Sequence, residues 1–141
     1  MIKIHRSPKN ITQMVAQTID MVNNTGLKVG PGHVVVIDRR TPLSVKAASF
    51  SDEEILCLIS VSTALPGETL KCQYAGIVNV LMEAAKEVDP GDYINTSNTP
   101  LLGHPHTTAF PGAFGVGLTS KPIGVEGFVQ VLLAGGMGEI F

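Results

Sequence analysis

A phrase written twice limits what this chain can fold into. Val29 to Ser44 reads VGPGHVVVIDRRTPLS, and Val88 to Gly103 reads VDPGDYINTSNTPLLG. In both, Pro stands one residue ahead of Gly, the order that suits the two central positions of a type II turn: Pro presets φ near −65° and Gly accepts the positive φ. Strand-like residues follow, then Thr-Pro-Leu, where proline has no N–H to give a ladder and holds the preceding Thr extended. Each copy therefore encodes turn, strand, turn, strand. Two copies are too few for a solenoid but suit a small barrel or sandwich of two related halves. Chance could repeat Pro-Gly in any β protein, but the second match at Thr-Pro-Leu favours a structural echo.

The same punctuation runs through the rest of the chain, at Pro66-Gly67, Pro111-Gly112 and Pro122. Between the breakers lie short segments rich in β-branched residues: HVVVID, LSVKAAS, ILCLISV, ETLKCQYAG, AGIVNVLM, DYINTS, FGVGLTS and GFVQVLL. That pattern predicts a mainly β fold, a small antiparallel barrel or sandwich with little helix. Two stretches stay open between helix and strand. In residues 11–22, Ile11, Met14, Val15, Ile19 and Val22 fit a helical stripe while the Thr, Val and Ile content suits a strand. In residues 77–88, helical spacing competes with Ile77, Val78 and Val80, and the reading is a strand to about Met82 followed by a turn or a single helical turn. At the start, Ile2 and Ile4 alternate with Lys3 and His5 until Ser7-Pro8, which predicts an extended arm over residues 1–10 ahead of a single β domain over 11–141, with echoed units starting near 29 and 88. Such an arm either frays or docks as an added strand on a partner.

Composition narrows the function. The chain of 141 residues is 44% hydrophobic and 16% charged, with ten basic and twelve acidic residues and neither sign in a block. That excludes intrinsic disorder and leaves no electrostatic footprint for nucleic acid. No apolar run approaches the roughly 20 residues that span a bilayer, and no secretory h-region opens the chain, so no membrane partner is expected. Cys57 and Cys72 lie in apolar stretches without Cys-x-x-Cys spacing and read as buried thiols.

Chemistry is sparse. The glycine-rich GAFGVG (112–117) and GGMGE (135–139) meet neither dinucleotide nor Walker patterns and read as strand glycines. His104 and His106 in HPH would share one face of a strand, as a metal pair requires, yet zinc takes three or four ligands and no further cluster stands nearby in sequence, so a solvated loop is expected. Asp52 to Glu54 read as an exposed acidic turn. Neither G-x-S-x-G nor H-E-x-x-H occurs. The remaining enzymatic reading is a Ser-Lys dyad using Lys46 or Lys86, since GHVVVIDRR is similar to a strand of self-cleaving repressor peptidases, whose nucleophile signature is absent here. No catalytic residue, cofactor or metal is assigned.

Taken together, VGPGHVVVID, SVST, AGIVNV, VDPGDYINTSNTP, FGVGLTS and GFVQVLL, covering roughly Leu27 to Leu133, resemble β-rich proteins of tailed bacteriophages. A free-standing chain of this size with an N-terminal arm looks like a capsid decoration (cement) protein of the β-tulip type. The resemblance implies a homotrimer on the outer surface of the virion, made in the bacterial cytoplasm, that clamps neighbouring subunits of the major capsid protein and so stabilises the shell. A β oligomerisation module of a tail fibre or spike is the alternative that the same pattern allows. The arm residues Met1, Ile2, Ile4 and Arg6 are the interface candidates. Two positions depart from the family pattern: His33 stands where an acid is usual after the first Pro-Gly, and Leu101 where glycine often follows Thr-Pro.

Overall fold

The structure, a computed structural model, describes residues 17–48, 56–109 and 112–133. Among them there is no helix. Nine strands follow in order: β1 (Gln17–Asn23), β2 (Val34–Ile37), β3 (Ser44–Lys46), β4 (Cys57–Ser60), β5 (Thr69–Met82), β6 (Tyr93–Thr96), β7 (Gly103–His106), β8 (Gly115–Gly117) and β9 (Gly127–Leu133).

The pairings close two rings that share one strand. β1, β3, β2, β4 and the first half of β5 form a cycle, because β5 returns to β1 over Thr69–Ala75. β7, β6, β8 and β9 form a second cycle with the other half of β5, which pairs β9 over Gly76–Met82. The mainly β expectation holds, with two refinements. The barrels are not wholly antiparallel, since β1–β3 and β5–β7 run parallel. ETLKCQYAG and AGIVNVLM, read as separate strands, are one strand of 14 residues. Gly76 bends it at φ 92° instead of reversing it, and the Gln73 amide braces the bend by donating to the carbonyls of Ala75 (2.9 Å) and Ile77 (3.0 Å). The stretch 17–22 lies in β1 and 77–82 in β5; residues 83–87 then turn without regular structure and Val88 makes an isolated bridge to Lys121, in line with a strand to about Met82 followed by a turn. Residues 11–16 and the arm 1–10 lie outside the described residues.

The turns carry out the backbone conformations their residues encode. Gly32 and Gly91 take φ of 88° and 95°, as the second central residue of a type II turn requires. Each turn is closed by a bond to the residue three before it: His33 N–H donates to Gly30 O (3.3 Å), Asp92 N–H to Asp89 O (3.1 Å). The side chains add a second brace of the same form. His33 Nδ1 accepts the Gly30 N–H at 2.9 Å, and Asp92 Oδ2 accepts the Asp89 N–H at 2.9 Å. Thus the work that the aspartate does as an acceptor in the second copy is done in the first by the histidine. It must be neutral to accept, and burial pulls its pKa below 6.5, with the Glu126 carboxylate opposing. A base depressed in the fold contributes stability above its unfolded pKa and loses it as pH falls below about 6.5. His33→Asp is therefore expected to remove that part of the acid sensitivity, checked by comparing urea midpoints of the two proteins at about pH 8 and about pH 5. An unchanged pH dependence would contradict the assignment.

Thr-Pro-Leu places a leucine in the left-handed region in both copies, Leu43 at φ 53° and Leu101 at φ 70°. This is where glycine is cheapest. Leu101 offsets the cost by packing into the first barrel, where it is 7% exposed beside Val35, Leu58 and Leu70, and its carbonyl accepts the Val34 N–H at 2.9 Å. Leu43 has no such socket and is 67% exposed.

Side-chain alternation divides the core in two. Met21, Val35, Val45, Leu58, Leu70 and Cys72 fill the first barrel. The alternate residues of β2 and β4, namely Val34, Val36, Cys57 and Ile59, point the other way and join Val80, Met82, Ile94, Val129 and Val131 of the second barrel in one continuous cluster. The two rings are therefore packed against each other as well as covalently joined through β5.

Candidate interaction surface

The polar side chains that the fold brings together sit at the top of the second barrel. Glu83, directly after β5, is buried, as is Ser97 after β6. Ser97 Oγ–H donates to Glu83 Oε1, and His104 Nδ1 lies 2.9 Å from Glu83 Oε2. The carboxylate therefore stands between serine and imidazole. A nucleophile needs the imidazole in the middle, with the carboxylate behind it, so this order does not activate Ser97. The Ser97 oxygen is further engaged by the Thr99 N–H at 3.0 Å. What the cluster does is tie the ends of β5, β6 and β7 together where β5 and β7 share a single register pair, Met82 with Gly103.

HPH is not a solvated loop but β7. Both imidazoles are half-buried on one face, 4.9 Å apart edge to face. Proline is tolerated inside this strand because β5 reaches it only at Gly103, which leaves Pro105 at a sheet edge. Among the described residues no group of three or more His, Cys, Asp or Glu could hold a metal ion. Sequence reading missed Glu83, which lies 21 residues from His104 inside a run that looks like ordinary helix formers.

The other chemical candidates are held in structural roles. Lys121 is buried and donates to the carbonyls of Pro122 (2.6 Å) and Val125 (2.7 Å); burial draws its pKa down and Glu83 opposes. Cys57 and Cys72 are buried thiols, and burial pushes the Cys72 thiol up to about 12, with Asp20 adding to the rise. Lys46 ends β3. Asp52 to Glu54 and the arm residues Met1, Ile2, Ile4 and Arg6 lie outside the described residues.

What the described surface offers is hydrophobic. On the outer face of the second barrel, Ile77 stands opposite Leu132, Asn79 opposite Gln130, and Leu81 opposite Phe128. β8 extends the face: Val116 is opposite Leu132, and the Leu118 N–H donates to Gln130 O at 2.7 Å. Phe128 is 56% exposed, Leu132 46% and Leu118 40%. Exposed apolar side chains around the Asn79–Gln130 pair suit macromolecular contact better than a small ligand.

No protein-family model matches the sequence, and no curated relative matches it. Among solved structures, the chain is similar to the N base of the head fibre protein gp8.5 of bacteriophage phi29, with a TM-score of 0.57 over 84% of this chain and 93% of that one. The fold is shared with a phage head-fibre base. Identity is 12%, so the likeness is one of architecture.

Proposed function

We propose that this protein is a structural component of a bacteriophage virion, a homotrimer that binds the outside of the capsid and stabilises it by clamping neighbouring subunits of the major capsid protein. The observation that carries the reading is the fold it shares, over nearly the whole of both chains, with a head-fibre base. The absence of an activated nucleophile in the Glu83–Ser97–His104 cluster and the exposed apolar face of the second barrel support a binding role over a catalytic one. Because the similar structure is the base of a fibre, a second reading keeps this chain as a module of a larger appendage.

In the capsid reading the arm, with Met1, Ile2, Ile4 and Arg6, reaches a neighbouring chain. There it adds as a strand to the partner, with main-chain hydrogen bonds supplying attraction and Ile2 and Ile4 supplying anchors. Deleting residues 1–10 is expected to lower occupancy on phage heads, as read by cosedimentation of the protein with purified heads; undiminished occupancy would remove the arm from the interface. Labelled protein located by electron microscopy separates the two readings. A capsid protein decorates the whole head in many copies, whereas an appendage module is found at the appendage alone.

A further inference from the structure

The repeat makes each barrel a control for the other. The hairpin between β2 and β3 and the one between β6 and β7 are built alike: Asp38 Oδ1 accepts the Arg40 N–H and Ser97 Oγ the Thr99 N–H, both at 3.0 Å. The Asp38 N–H donates to Ser44 O at 3.0 Å, and the Ser97 N–H to Leu102 O at 3.1 Å. Their leucines differ in surroundings. Leu101 is buried against the first barrel, whereas Leu43, also left-handed, is 67% exposed at the end of a run, 39–43, in which every residue is exposed. A large apolar side chain that holds a strained backbone without a socket points to a contact outside the chain.

The charges beside Leu43 indicate what that contact is. Arg39 and Arg40 stand in the first hairpin, and the second has no basic residue. Neither guanidinium forms a salt bridge with another described residue. Asp38, the acid beside them, is engaged by Asn24 Nδ2 at 2.7 Å as well as by the Arg40 N–H. The complementary surface lies on the second barrel. At a step of 59 residues, Lys28 is replaced by Glu87, Gly30 by Asp89 and His33 by Asp92. These three acids line a groove of about 390 Å³ whose apolar part includes Ala85, Pro105 and the exposed Ile123. Lys86 and His106 also line it and leave the acids in excess.

We infer that the loop 39–43 of one chain seats in this groove on the second barrel of the next chain, with Leu43 against Ala85, Pro105 and Ile123 and the two arginines facing Glu87 and Asp89. Loop and groove are different surfaces, so the contact runs head to tail. Contacts of that kind close into rings, a threefold ring among them, and impose no two-fold axis. The inference deepens the homotrimer proposed above and rests on that reading for the number of chains in the ring.

Sedimentation equilibrium of the full-length protein tests it with charge reversals at exposed positions. Wild type is expected to be an oligomer. Arg39→Glu/Arg40→Glu and Glu87→Lys/Asp89→Lys each bring like charges together, and each is expected to raise the dissociation constant on the order of 100-fold. Both reversals in one chain should restore the oligomer, since opposite charges meet again. Leu43→Gly covers the case in which a reversal fails to fold: glycine suits the left-handed backbone, so the chain keeps its fold while its dissociation constant rises on the order of 10-fold. A monomeric wild type, an undiminished oligomer in a folded single-site reversal or in Leu43→Gly, or reversals that dissociate separately and are not restored together would each overturn the inference. So would a hairpin reversal that stays oligomeric but no longer binds phage heads, because the loop would then be the capsid contact. Restoration by the paired reversals in a protein that ignores heads would uphold the contact and sink the capsid reading instead.

Discussion

Ile59→Ala is expected to lower the unfolding free energy by about 3 kcal/mol, the middle of the range for removing a buried isoleucine and leaving a cavity. Ile59 belongs to β4 of the first barrel, yet it is fully buried among residues of the second, including Val80, Ile94 and Val129. Its loss therefore opens a void between the barrels, where two separately closed rings have little freedom to collapse. The matching residue of the second barrel provides the contrast. Val34–Ile59 corresponds to Tyr93–Val116, and Val116 is partly exposed, so Val116→Ala is expected to cost less than about 1 kcal/mol. Urea titrations of both variants measure this directly, and in each the transition should remain single. Two resolved transitions in Ile59→Ala would mean that the barrels fold apart and that the shared cluster couples them weakly.

A methyl group at Gly115 is expected to be nearly as costly. A Cβ there would lie 2.5 Å from Val131 Cγ1 and 2.8 Å from the Leu132 carbonyl oxygen. The second obstacle is backbone in the neighbouring strand β9, so the barrel wall itself must move, and Gly115→Ala should destabilise by roughly 2–3 kcal/mol, the upper part of the usual range for overpacking. The echo explains why glycine stands here. In the first barrel the equivalent pair is Leu58 with Cys72, and in the second it is Gly115 with Val131, so the bulk has moved from one strand to the other. Gly91→Ala, in a turn with open space around the added methyl, should cost only about 1 kcal/mol, from the positive φ alone. Thermal or chemical denaturation that ranked Gly91→Ala above Gly115→Ala would contradict this account of the barrel interior.

How far the sequence could be read follows from which interactions are local. Pro-Gly followed by strand-forming residues located β2 and β6 because turn chemistry and strand propensity act within a few residues. The repeated Thr-Pro-Leu marked equivalent turns for the same reason, and even its departures had local causes: His33 supplies the acceptor that Asp92 supplies, and Leu101 trades backbone strain for burial. Ring closure was not legible, because β1–β3 and β5–β7 are parallel contacts between segments whose pairing no turn dictates. The continuity of β5 was hidden by Ala75-Gly76, which looks like a stop but acts as a bend under the Gln73 amide. The Glu83–His104 contact was hidden by its separation along the chain and by the helix-like run that follows Met82. On the surface, the apolar face of the second barrel was invisible until the register was known, since Ile77, Leu118 and Leu132 look like core residues in a list of strands.

Sedimentation of the purified protein alone and with purified phage heads tests the central claim most directly. A capsid-stabilising protein is expected to sediment as an oligomer on its own and to saturate the heads at a high and fixed copy number per particle. A monomer that stays in the supernatant at every head concentration would contradict it.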